Sequence, residues 1–394
     1  MRRQTKGNPR DLRVDFTSRA WVPDWLGRSG RISRRRLVRL LVVLAVAGSG
    51  LPLMKKLLQS ITVSARELPS PTGPFAVRRA SYVVDAPALE NGHPLKIQVD
   101  LWQPAAKSES RSPMAGKRPL ILYAPGWNGR RNDNQLLISQ LVSWGFVVTA
   151  IDDVGANSGP ADQAAYGDFD LSSDEAMQRS LRFADTRLAA MVRRFSAVID
   201  RLGASDGPLP DALRRQIDFE RVGALGFSFG GSVAAEAAVL EPRIVAAVNM
   251  DGWHFGRSAV DGLRKPYLVF NSDYKLEDDL HSRSTAKRLT AEITRVDRIL
   301  QHRLTQAGAT TAVLFSRTRH DDFTDSLFAP SLATYIRTWP RNDADRLRLH
   351  RSISSHVLAF FERTLMSTPN PRPAVAAEWP VAPLPPVADQ PRPQ

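Results

Sequence analysis

Between residues 119 and 316 the chain alternates two kinds of segment. Short apolar runs, "PLILYAP" (119–125), "FVVTAID" (146–152), "RVGALGF" (221–227), "IVAAVNMD" (244–251), "YLVFNS" (267–272) and "TAVLFS" (311–316), are separated by stretches with helical periodicity. Near-continuous Val, Ile and Leu suit strands buried on both faces, and such strands belong to parallel sheets crossed over by helices. Helices are predicted over 135–144, 176–203, 231–240, 284–307 and 343–366. Two earlier strand candidates, "SYVV" (81–84) and "LKIQVDLWQP" (95–104), read differently. The second alternates Ile97, Val99 and Leu101 with Lys96, Gln98 and Asp100, as a half-exposed antiparallel edge strand would. The pattern predicts an α/β fold: a mostly parallel, doubly wound sheet of about eight strands flanked by helices.

Charge divides the chain unevenly. The formal net charge is +14, but residues 1–65 hold 14 Lys and Arg against 3 Asp and Glu, which leaves 40 against 37 for the remainder. A nearly neutral main body argues against nucleic acid as its partner. There is no cysteine, so disulfides, thiolate nucleophiles and Cys-type zinc sites are all excluded.

The basic excess belongs to a leader, residues 1–65. "SRRRLVR" (33–39) precedes an apolar run from Leu40 to Met54, followed by Lys55-Lys56 and the small-residue stretch Val63-Ser64-Ala65. Fifteen apolar residues are short for a spanning helix, which needs about 20. The layout fits a secretory signal, and the paired arginines look like a twin-arginine export signal. The alternative is an uncleaved anchor over residues 37–54 with its basic end in the cytoplasm. On either reading residues 66–366, the main domain, lie outside the cytoplasm, and the partners of the leader are export machinery or membrane. The Pro/Ala-rich stretch 367–394 is expected to be extended or disordered.

One motif carries chemistry. Gly226-Phe227-Ser228-Phe229-Gly230 lies where an apolar strand gives way to a helical stretch, the context of a nucleophile elbow. A serine hydroxyl is a weak nucleophile until a base removes its proton, so it must project from a sharp turn within reach of an imidazole. In this architecture acid and His follow the Ser in order. Of the seven histidines, His320 in "SRTRHDDF" stands on a loop just after the strand 311–316, at the carboxyl edge of the sheet. Two aspartates compete as the orienting acid: Asp251 ends one strand and Asp273 follows the next, and spacing does not separate them. A metal at Asp321-Asp322 lacks matching ligands elsewhere in the sequence, so no metal and no cofactor is called for. The second oxyanion donor is expected on "APGWNG" (124–129): backbone N–H groups of Trp127 and of Phe229. Trp127, Phe227, Phe229, Trp253 and Phe255 are candidates for an apolar acyl pocket or for ordinary core, and "DDVGANSGP" (152–160) is a further loop at the same sheet edge.

"GFSFGG", "NMDGWHFG", "YLVFNSD" and "HDDFTD" occur in an order and spacing that resembles the platelet-activating factor acetylhydrolase family, a branch of the α/β hydrolases. The resemblance spans about residues 80–365. It implies the α/β-hydrolase fold, a Ser228–His320 pair and, since that branch has its acid followed two residues on by Trp, Asp251 rather than Asp273. Phe227 stands where relatives often carry His, and "APGWNG" replaces a frequent His-Gly pair. The implied activity is hydrolysis of carboxylic esters, lipid-like or otherwise apolar, through an acyl-enzyme. The same triad serves amidases and peptidases, and a non-catalytic surface binding protein could keep the fold.

Overall fold

The computed structural model describes residues 12–13, 67–90, 93–106, 116–155, 166–329, 342–367 and 379–386. The apolar run of the leader lies outside these. Among the described residues no helix is long and apolar enough to cross a membrane.

Among the described residues ten strands form one sheet: β1 (Leu12–Arg13), β2 (Ala76–Glu90), β3 (His93–Ala105), β4 (Arg118–Ala124), β5 (Val147–Ile151), β6 (Ile217–Phe227), β7 (Ile244–Met250), β8 (Tyr267–Ser272), β9 (Thr310–Phe315) and β10 (Val381–Pro383). Their order is β1-β2-β3-β5-β4-β6-β7-β8-β9-β10. The six from β5 to β9 in that order are mutually parallel, and β2, β3 and β10 join antiparallel at the two sides. This is the α/β-hydrolase fold. All six parallel strands coincide with the apolar runs, because each is covered on both faces.

One cover consists of helices Asp174–Gly203, Phe229–Leu240 and Thr285–Gln306; the other is Gln135–Ser143 and Asp343–Leu365. Local signals start the long helices where the sequence provides them. The Ser173 hydroxyl accepts the Ala176 N–H, and the Asn342 side chain accepts the Asp345 N–H, each satisfying a donor that the first turn leaves open.

Two expectations are corrected. The strand at 95–104 is not at the edge, because β2 runs along its full length outside it. Its alternation reflects its two faces, since Lys96 and Gln98 are exposed on one while Ile97, Val99 and Leu101 are buried on the other. The disordered tail expected over 367–394 is ordered between 379 and 386. There β10 pairs with β9, and Trp379, 3% exposed, donates Nε1–H to the Ser316 carbonyl at 2.8 Å. Burying one indole offsets the ordering cost of a segment whose prolines already restrict φ.

Candidate active site

Parallel strands deliver their following loops to one edge of the sheet, and four of those loops meet there. Four non-glycine residues have positive φ among the described residues, namely Asn128, Ser228, Asp251 and Arg317. They follow β4, β6, β7 and β9, one on each loop. Left-handed backbone at such residues costs about 1–3 kcal/mol each and persists only where surrounding structure imposes it.

Ser228 has φ 53° and ψ −123°, between the end of β6 and helix Phe229–Leu240. Its flanking glycines are required by space. A β-carbon on Gly226 would overlap the Gly230 carbonyl, and one on Gly230 would overlap the carbonyls of Ala124 and Pro125. The strand, elbow and helix therefore close on each other and push the serine side chain out of the sheet edge.

His320 opens a short 3-10 turn, His320–Phe323, that follows β9. Its Nε2 lies 2.9 Å from Ser228 Oγ, and its Nδ1 lies 2.7 Å from Asp251 Oδ2. The second carboxylate oxygen, Oδ1, accepts the Ser272 N–H at 2.6 Å. With Nδ1–H donating to Asp251, Nε2 is left to accept the serine proton. Burial draws the His320 pKa down, but the hydrogen bond and charge of Asp251 outweigh it, with Asp321 adding, and the imidazole ends above its usual value. Burial likewise pushes Asp251 up, yet the His320 bond and charge and the Ser272 N–H hold it below the ordinary carboxylate range.

Asp273, the competing acid, points elsewhere. Its Oδ2 accepts the Arg317 N–H at 2.8 Å, and Lys275 Nζ lies 3.0 Å from Oδ1. It tethers the turn that leads to His320. Asp322 accepts the Arg319 N–H at 2.8 Å and caps the His320 turn. His254, three residues past Asp251, is buried with Nδ1 2.8 Å from Asp297 and Nε2 2.7 Å from the Tyr267 hydroxyl. It is a brace for the Asp251 loop.

The loop after β4 lies directly on Ser228, since a β-carbon on Gly126 would stand 3.3 Å from Ser228 Cβ. Trp127 is next along that loop, and Phe229 supplies the first N–H of the elbow helix, where donors lack intrahelical partners. Phe229 thus adjoins Ser228 directly, and Trp127 follows the glycine that packs on it. The aromatic residues divide. The Trp127 ring meets Phe229 at 4.9 Å and Phe169 at 5.3 Å; Phe169 meets Trp253 at 5.8 Å, and Phe229 meets Phe255 at 6.3 Å. Phe227, expected among them, instead packs its ring 4.7 Å from that of His320 and belongs to the core on the opposite face of the sheet. Residues on either side of the elbow serine leave in opposite directions. Phe169 was not foreseen, because nothing in "YGDFD" marks that phenylalanine apart from others.

No protein-family model matches the chain. Two cutinases of Thermobifida alba, est2 and est1, are each 26% identical to it, over 154 and 156 residues. Those matches cover 39% of this chain, which thus spans about two fifths of the length of these curated relatives, 41%. Among solved structures, a ferulic acid esterase from Streptomyces cinnamoneus superimposes with a TM-score of 0.53 at 19% identity, over 81% of this chain and 98% of that one. At that identity the likeness is one of fold, and it is the α/β-hydrolase fold that the strand order and elbow already define.

Proposed function

We propose that the chain is a serine hydrolase of carboxylic esters, with Ser228 as nucleophile, His320 as general base and Asp251 as the acid that orients it. The observation that carries this is the unbroken path from Ser228 Oγ through His320 to Asp251 at 2.9 and 2.7 Å. Ester cleavage by the partial relatives, as their names state it, supports the reaction class.

In the proposed reaction, His320 Nε2 takes the Ser228 proton as Oγ bonds to the carbonyl carbon. The carbonyl oxygen becomes an oxyanion and receives the N–H groups of Trp127 and Phe229; one such donor contributes about 3 kcal/mol. Collapse breaks the ester C–O bond, and the imidazolium returns its proton to the departing alkoxide. Water then attacks the acyl-enzyme, giving its proton to His320, and the acid leaves as Ser228 regains its hydrogen. No cofactor takes part in these steps.

The wall of Trp127, Phe169, Phe229, Trp253 and Phe255 supports an apolar acyl group. A lipid-like ester, as the resemblance to platelet-activating factor acetylhydrolases implies, is the proposed substrate. The basic, apolar leader supports export or membrane attachment, and replacing Arg34 and Arg35 with lysine distinguishes a twin-arginine signal from both alternatives.

A chain-length series of p-nitrophenyl esters, run beside the matching anilides, tests the proposal. Wild type is expected to hydrolyse the esters and to be labelled at Ser228 by a fluorophosphonate, and Ser228→Ala to do neither. Turnover of the anilides alone makes the enzyme an amidase. No turnover and no label would leave a binding protein.

A further inference from the structure

Behind the loop that carries Trp127 sits a buried positive charge that the proposed reaction does not use. Arg187, on helix Asp174–Gly203, is 1% exposed. Its guanidinium carbon lies 4.0 Å from the centre of the Trp127 ring. One end of the fork, Nη1, donates to Asp153 Oδ2 at 2.8 Å; the other, Nη2, donates to the Asn128 side-chain oxygen at 2.8 Å. The same Asp153 oxygen accepts the Asn128 backbone N–H at 2.8 Å, and the Asp153 N–H reaches back to the Gly129 carbonyl at 3.2 Å. Three consecutive residues of the loop are thus gripped at four points: the indole face, the Asn128 side chain, the Asn128 amide and the Gly129 carbonyl. Gly155 completes the clamp, since a β-carbon there would overlap both the guanidinium and the Asn128 oxygen.

Stability alone is a poor reason for this arrangement. Desolvating a guanidinium and a carboxylate offsets much of their attraction, and well-packed apolar residues usually serve as well. A planar fork that stacks on a ring and bonds two partners does something an apolar residue does not: it sets orientation. Asn128 is held left-handed at φ 57°, which turns the backbone immediately after Trp127.

We propose that Arg187 and Asp153 are positioning residues for the oxyanion loop, holding Trp127 and Asn128 so that the Trp127 N–H meets the charge that develops on the substrate. This rests on the reading of Ser228 as nucleophile. The clamp acts on a donor that matters most in the transition state, so its loss lowers kcat and leaves KM.

The experiment compares wild type with Arg187→Lys, which keeps the charge but not the two-point fork, and Asn128→Gly, which removes the bridging oxygen without penalising positive φ. Each is assayed on p-nitrophenyl butyrate and with a phenylboronic acid, whose boron accepts the Ser228 oxygen and mimics the tetrahedral anion. Folding is checked by circular dichroism and thermal melting. In folded variants kcat is expected to fall about 10- to 100-fold with KM nearly constant, and the boronate to weaken by the same factor. Butyrate as a product inhibitor should bind unchanged. Folded variants with wild-type kcat, or with the loss entirely in KM, overturn the inference while leaving the ester hydrolase intact. A wild type that neither turns over the ester nor reacts with a fluorophosphonate removes the functional reading, and this inference with it.

Discussion

Asp251 and Asp273 follow neighbouring parallel strands, yet only Asp251 reaches the imidazole of His320, 2.7 Å from Nδ1, while Asp273 accepts the Arg317 N–H on the turn before it. Asp251 meets the His320 ring, and Asp273 holds the turn that precedes it. Asp251→Asn should lower kcat by about 10⁴, because an amide can favour the wrong imidazole tautomer. Asp273→Asn should cost less than tenfold, since an amide oxygen still accepts the Arg317 N–H. Steady-state kinetics on one ester ranks the two, and the reverse ranking would assign the acid to Asp273.

The pH profile follows from the same contact. In the proposed reaction the base works as neutral imidazole, so kcat/KM should rise with pH through an inflection above the ordinary 6.5. In Asp251→Asn the inflection should move down, because the Asp251 charge that outweighs burial is then lost and only Asp321 still opposes it. Stability carries the matching sign. A raised folded-state pKa stabilises fully below the unfolded value and is lost as pH rises through the folded one. The melting-temperature gap between wild type and Asp251→Asn should therefore be wider at pH 5.5 than at 8.5. A gap that widens towards high pH would contradict the assignment.

Strain at the elbow predicts a trade between activity and stability. At φ 53° and ψ −123° any side chain at position 228 is disfavoured and glycine is not. Ser228→Gly should be inactive yet more stable by about 1 kcal/mol, a rise of about 2–4 °C in melting temperature. Ser228→Ala keeps its β-carbon and should show no such gain. Equal melting points for the two variants would mean that the turn stores no strain.

Trp379 tests the ordered part of the C-terminal stretch. Its ring is buried, bonded to Ser316 and overlain by the Arg317 guanidinium at 5.2 Å. Trp379→Ala should destabilise the fold by about 3–5 kcal/mol in urea or thermal unfolding. Turnover by the molecules still folded should fall less than tenfold, because Asp273 continues to hold the turn before His320. An unchanged unfolding midpoint would detach this segment from the domain.

Most of the fold was legible from local pattern. Six apolar runs and five helical stretches are where the sheet and its covers form, because burial on two faces or one imprints its own period on the sequence. The turn at Ser228 and the loop position of His320 were legible too, through glycines that only a cramped turn demands and through a segment at the carboxyl end of a strand. Which of Asp251 and Asp273 lies beside the His320 ring did not emerge from spacing, since both follow adjacent strands; the direction in which the 316–320 turn crosses the sheet edge decides that contact. Phe227 and Phe229 look alike in sequence and part company only when the elbow sends one to each face. Arg187 is one arginine among many on an amphipathic helix, and its grip on Asn128 joins residues 59 positions apart. Trp379 sits amid prolines that give no period to read. Contacts of this kind depend on where distant segments arrive together, and a one-dimensional pattern records the burial of each segment but not its neighbours.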